Sequence, residues 1–279
     1  MEKVISKDGT EIAYDRTGKG PALVLVDGAF CYRKHGVTSS LAPLLSPCFT
    51  VYSYDRRGRG DSTDAGSYSV ERELEDLEAI VSATGESSFL YGISSGASLT
   101  LLAAAKGLKV KKIALFEPPY VAKTPAEIAG FLKAKNKLKS LVEKGDRSGA
   151  VKYFMTSLMG MPGIVVLLFK FMGGASWKNN EGVAHTLSYD VDIMGDGSVP
   201  GELISGIKCP VLVIGGDRST ENLKQAVRLV GEKIKGSEIQ WLEGQKHNAP
   251  SKVVAPVLIR YFNNGSIPSP SDPERINSV

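Results

Sequence analysis

Six short apolar runs recur along this chain with longer helical patterns between them, and few folds accommodate that alternation. The runs are Ala22 to Val26, Phe49 to Tyr54, Phe89 to Gly92, Ile113 to Phe116, Val211 to Gly215 and Ile239 to Leu242. Strands alternating with helices predict an α/β fold, in which a mostly parallel twisted sheet is flanked by helices. Between the second and third runs, Val70, Leu74, Leu77, Ile80 and Val81 share one helical stripe, while Glu71, Glu73, Glu75, Asp76 and Glu78 fall elsewhere. That pattern predicts a helix resting one face on the sheet. Residues 1–14 alternate apolar and polar side chains around Lys7-Asp8-Gly9-Thr10, the pattern of a β-hairpin and not of a signal peptide.

The strand signal stops between Pro118 and about Pro200. A helix start appears there at Thr124-Pro125-Ala126-Glu127, where threonine can cap, proline can occupy the first turn and glutamate can reach back. The expected organisation is a core of residues 1–120 and 201–262, a helical insertion over 121–200, and a polar, frayed tail over 263–279. A chain of 279 residues can form one such domain with an insertion.

Composition narrows the partners. With 42% hydrophobic and 23% charged residues, the chain is neither disordered nor fibrous. The formal charge of +4 is small, and the lysine series from Lys133 to Lys139 reads as a solvated helix face, so nucleic acid is not an expected partner. Cys31, Cys48 and Cys209 are widely spaced and odd in number, which suits neither a metal site nor a disulfide framework and fits a reducing, cytoplasmic location. No metal or cofactor is expected. The most apolar stretch, Tyr153 to Met172, is broken by Gly160, Pro162, Gly163 and Lys170, short of the ~20 residues of a membrane span. The oligomeric state is not legible.

The chemistry concentrates at the ends of the apolar runs. Gly92-Ile93-Ser94-Ser95-Gly96 joins a strand pattern to a helical one, the context of a nucleophile elbow. Glycines two before and two after the serine avoid a collision that larger side chains would cause. The following helix aims its amides at the site. A serine hydroxyl needs a base. Of the three histidines, His35 and His185 read as loop or insertion residues, whereas His247 follows the last run, at the sheet edge from which Ser94 emerges. A carboxylate must then hold the imidazole. Asp217, after Pro210-Val-Leu-Val-Ile-Gly-Gly216, is preferred for that role over its main competitor, Glu117, on the strength of its strand-to-loop flanks. The amides of Ala29 and Ser95 are the candidate oxyanion hole. Phe30, Phe154, Leu158 and Trp177 are the candidate substrate contacts, with Met155, Met159, Ile164, Leu167, Leu168 and Phe171 as further apolar lining of the insertion.

Taken together, Gly20-Pro-Ala-Leu-Val-Leu-Val-Asp-Gly28, Tyr54-Asp-Arg-Arg-Gly-Arg-Gly-Asp-Ser62, the elbow, Cys209-Pro-Val-Leu-Val-Ile-Gly-Gly-Asp217 and Gly244-Gln-Lys-His247 resemble the successive signatures of the α/β-hydrolase-fold superfamily, in its serine-nucleophile branch. The resemblance is to little-characterised bacterial members. It implies that residues 121–200 form a cap over the site and that Ala29 and Ser95 hold the oxyanion. One departure is Asp27, where most relatives carry histidine. Its expected role is to brace the turn by pairing with Arg56, Arg57 or the loop backbone, pointing away from substrate. The leading functional expectation is hydrolysis of an ester or thioester of a small, mostly apolar molecule through an acyl-enzyme. The same residues also serve carbon-carbon hydrolases, perhydrolases and lyases, or persist in silent ligand-binding proteins of this fold.

Overall fold

The computed structural model describes residues 1–263, so the expected tail lies outside the described residues apart from Asn263. Among the described residues eight strands form one sheet: β1 (Glu2–Ile5), β2 (Glu11–Thr17), β3 (Ala22–Val26), β4 (Thr50–Tyr54), β5 (Phe89–Ile93), β6 (Lys112–Phe116), β7 (Val211–Gly216) and β8 (Glu238–Leu242). Their spatial order is β1-β2-β4-β3-β5-β6-β7-β8. The first hairpin is antiparallel, with Glu2 opposite Tyr14, and β2 is antiparallel to β4. From β4 to β8 every pairing is parallel, as the alternation of runs and helices predicts.

Because side chains alternate across a strand, the central strands supply two cores. Val24, Val26, Leu90, Ile113, Leu115, Val211 and Val213 pack on one face. There they meet α2 (Val70–Ala83), α3 (Ser95–Ala105) and α10 (Glu221–Lys233). Leu23, Leu25, Phe89, Tyr91, Ala114, Phe116, Leu212 and Ile214 pack on the other, against α1 (Val37–Leu45) and α11 (Ser251–Phe262).

Between β6 and β7 the regular elements are all helical: α4 (Pro125–Glu143), α5 (Arg147–Tyr153), a π turn (Phe154–Leu158), α6 (Gly163–Met172), α7 (Gly174–Gly182), α8 (Leu187–Ile193) and α9 (Gly201–Ile204). The capping box forms as expected, with the Glu127 amide donating to the Thr124 hydroxyl and the Thr124 amide to the Glu127 carboxylate. The lysine series lies on α4, but Lys135 and Lys139 are not simply solvated, since both pair with Asp192 at 2.9 Å.

Two acidic residues on α2 depart from the expected pattern. Glu73 and Asp76 are buried: Arg56 Nε donates to Glu73 at 2.5 Å and Arg57 Nε to Asp76 at 2.6 Å. Both carboxylates fall within the apolar stripe, and the arginines after β4 make that burial tolerable by pairing with them.

Candidate active site

Ser94 is the first residue beyond β5, between that strand and α3. Its backbone is left-handed, at φ 56° and ψ −127°, a conformation that costs a non-glycine residue about 1–3 kcal/mol. The surroundings hold it there: its amide donates to the Phe116 carbonyl at 2.9 Å, and its carbonyl accepts from the Ala97 and Ser98 amides. The flanking glycines are sterically required. A Cβ on Gly92 would lie 2.5 Å from the Gly96 carbonyl oxygen, and one on Gly96 would lie 2.2 Å from that of Val26. The strained turn leaves Ser94 half-exposed above otherwise buried strands.

Three non-glycine residues have positive φ among the described residues: Phe30, Ser94 and Glu117. They follow β3, β5 and β6, three neighbouring strands, so the unusual backbone gathers at one sheet edge. Glu117 is fully buried, and its Oε2 lies 2.6 Å from His247 Nδ1. Its Oε1 accepts from the Gly216 amide at 2.7 Å. The expected pairing of Asp217 with His247 is therefore corrected. Asp217 is exposed and makes no side-chain hydrogen bond to His247 among the described residues. The reason lies in the sheet order. β6 adjoins β5, so a glutamate turned by a left-handed backbone can reach inward beneath the imidazole, whereas β7 stands one strand further out. His247 is one-third exposed, and the pair with Glu117 occupies its Nδ1.

The loop after β3 touches the nucleophile, because a Cβ on Gly28 would stand 3.0 Å from Ser94 Cβ. Neither the Ala29 nor the Ser95 amide donates to another described residue, and Ser95 opens α3, where first-turn amides lack intrahelical partners. The opposite side of this loop is clamped. Arg59 Nη1 donates to the Gly28 carbonyl at 2.7 Å and Arg56 Nη1 to the Asp27 carbonyl at 3.3 Å. A peptide unit is planar and trans, so holding the Gly28 oxygen turns the Ala29 N–H the opposite way.

Both arginines are in turn held by Asp190 on α8. Arg56 Nη1 reaches Oδ1 and Arg59 Nη2 reaches Oδ2, each at 2.8 Å, and the Ser95 hydroxyl donates to Oδ1 at 2.7 Å. Burial pushes the Asp190 carboxyl upward, but Arg59, Arg56 and the Ser95 hydroxyl outweigh it and keep the group below the usual aspartate range. Asp190, Arg56 and Arg59 were not among the expected site residues. Charged side chains inside an arginine-rich loop and an insertion helix were the available signal.

Asp27 is buried, with its carboxylate bonded to Thr38 in the first turn of α1. Of the expected partners, Arg56, Arg57 or the loop backbone, neither arginine reaches the carboxylate, which accepts from the Thr38 hydroxyl and backbone amide, while Arg56 touches only the Asp27 carbonyl. Burial raises its pKa to about 6, against the lowering effects of Thr38, Arg59 and Arg56. The folded chain therefore keeps a proton that the unfolded chain releases, and stability falls as pH rises from about 4 to 6. Asp27→Asn is expected to flatten that slope and to add up to about 3 kcal/mol at pH 7. Urea melts of both proteins across this range check it, and parallel pH profiles would refute it.

Of the expected substrate contacts, Phe30 and Phe154 meet edge to face at 5.3 Å, next to half-buried Leu158 of the π turn. Trp177 instead serves the insertion's interior, edge-on to Phe169 and donating to Glu181. Met159, Ile164, Leu167, Leu168 and Phe171 do not line a site, because they face outward.

The model of the Alpha/beta hydrolase family matches residues 23–277. An alpha/beta hydrolase from Sphaerobacter thermophilus is 41% identical, with a TM-score of 0.84 over 94% of this chain and 100% of that one. A thermophilic esterase from Thermogutta terrifontis is 20% identical, with a TM-score of 0.72 over 94% and 97% of the two chains. An enol-lactonase from Burkholderia xenovorans is 19% identical, with a TM-score of 0.64 over 94% and 100%. No curated protein matches.

Proposed function

Because this chain belongs to the alpha/beta hydrolase family, we propose that it is a serine hydrolase that cleaves an ester or thioester of a small, mostly apolar molecule. The carrying observation is the His247–Glu117 pair, 2.6 Å long and buried at its carboxylate, on the sheet edge where Ser94 is held in its strained turn. Glu117 accepts a hydrogen bond from Nδ1–H, which keeps the proton on that nitrogen and leaves Nε2 as the base for Ser94. Ser94 Oγ attacks the carbonyl carbon as its proton passes to His247, and the carbonyl oxygen becomes an anion facing the Ala29 and Ser95 amides. Collapse expels the alcohol or thiol, which takes the proton from His247. A water deprotonated by the same imidazole then attacks the acyl-enzyme, releasing the acid and restoring Ser94.

Arg59 and Asp190 act as positioning residues, fixing the peptide that carries the Ala29 amide. The helices over 121–200 act as a cap, supported by the reach of Asp190 to Arg56 and Arg59 and by the Phe30–Phe154 contact. Those two rings favour an apolar acyl or leaving group at the site. The free thiols of Cys31, Cys48 and Cys209 fit a reducing cytoplasm.

A fluorophosphonate probe tests the reading. The wild-type protein is expected to gain one covalent adduct, mapped by mass spectrometry to the peptide carrying Ser94 and absent in Ser94→Ala. A folded wild type that stays unlabelled, or is labelled elsewhere, would refute it.

A further inference from the structure

The apolar face of α6 is turned to solvent. Ile164, Val165, Leu167, Leu168, Phe171 and Met172 follow the spacing by which a surface helix normally buries one stripe. Here only Val166 is buried, while Ile164 is 64% exposed, Leu168 52%, Phe171 77% and Met172 80%. Met159, after the π turn, adds to the same apolar surface. Scattered apolar side chains on a surface are ordinary, but a whole helical stripe marks an interaction site.

The charges around it indicate the partner. Between Asp146 and Glu181 the chain carries Arg147, Lys152, Lys170 and Lys178 and no acidic residue. All four are exposed, and none makes an ion pair among the described residues. Lys170 lies over the Trp177 ring at 5.9 Å, within the helix that bears the stripe. An apolar stripe with a cation on its own helix, in a segment that carries three further exposed cations and no acidic residue, suits a helix lying in the headgroup region of an anionic bilayer. At ten residues α6 spans only ~15 Å, too short to cross a membrane. A second copy of the chain fits less well, since a two-fold contact through this stripe would set the same cations facing one another.

We infer that α6 docks this protein reversibly on anionic lipid surfaces, its apolar stripe entering the interface while Lys152, Lys170 and Lys178 meet the headgroups. Docking of this kind does not depend on whether Ser94 turns over an ester.

Co-sedimentation with phosphatidylcholine vesicles, with and without phosphatidylglycerol at about a third of the lipid, is the test. Wild-type protein is expected to bind the anionic vesicles at least roughly tenfold more strongly than the neutral ones, and to release at about 1 M salt, where screening is nearly complete. Phe171→Asp with Met172→Asp should abolish binding without changing the melting temperature, because both side chains are already in water. Lys170→Glu should weaken it by at least roughly tenfold. No binding by the wild type, equal binding to both vesicles, or binding that survives the double substitution would overturn the inference. So would a dimer that the double substitution dissociates in the absence of any vesicle binding.

Discussion

Glu117→Gln is expected to lower kcat by about 10⁴-fold with little change in KM, whereas Asp217→Asn should stay within about twofold of the parent. The size of the first effect follows from hydrogen-bond bookkeeping at one side chain. The Gly216 amide donates to Glu117 Oε1, so in the glutamine variant the carbonyl oxygen must stay on that side to satisfy it. The amide nitrogen then faces His247 Nδ1. Two donors cannot meet, so Nδ1 becomes the acceptor and the ring proton moves to Nε2. The imidazole is left in the tautomer that cannot take a proton from Ser94. Steady-state kinetics on a chromogenic ester, with melting curves to confirm folding, decides the matter. If Asp217→Asn lost turnover while Glu117→Gln kept it, the imidazole would have to be oriented from β7.

Asp190→Ala should cost about 3–5 kcal/mol of stability, because removing one member of a buried ionic cluster strands the others. Arg56 would keep Glu73, but Arg59 would keep only neutral acceptors: the Gly28 and Cys31 carbonyls and the Thr186 hydroxyl. For a chain of this size the melting temperature should fall by roughly 10 °C. Well below the melting transition, kcat should also fall, by about 10²-fold, through the peptide that Arg59 orients. Arg59→Lys separates orientation from charge, since an ammonium cannot reach Asp190, Thr186 and Gly28 in one plane. It should lower kcat with KM nearly constant. If kcat tracked the folded fraction alone in both variants, the clamp would be purely structural.

The strands, the hairpin, the elbow and the capping box were legible because each depends on neighbours close in sequence. Runs of apolar residues, a Gly-x-Ser-x-Gly turn and a Thr-Pro-Ala-Glu start report local geometry directly. What escaped depended on sheet order. Nothing local distinguishes Asp217 from Glu117: both follow a strand, and only the insertion of β7 outside β6 puts Glu117 nearer the nucleophile. The burial of Glu73 and Asp76 was latent in their places on the α2 stripe, but the arginines that pair with them lie on a loop about 20 residues earlier. α6 departs in the opposite direction, since Ile164, Leu167, Leu168 and Phe171 are expected as apolar lining of the insertion and the fold turns them outward.

The clamp between Asp190 and the two arginines also bears on how such a protein can be remodelled. On the proposed reading of residues 121–200 as a cap, exchanging that insertion for another family member's would change which molecules are accepted. In this chain the exchanged segment carries the only carboxylate partner of Arg59 among the described residues. A graft lacking an aspartate at that place would strand a guanidinium beneath the loop after β3, so a failed chimera would report an orphaned charge and not an unsuitable pocket. Grafts that carry the aspartate, or hosts in which Arg59 is replaced by an uncharged residue of similar volume, should recombine freely.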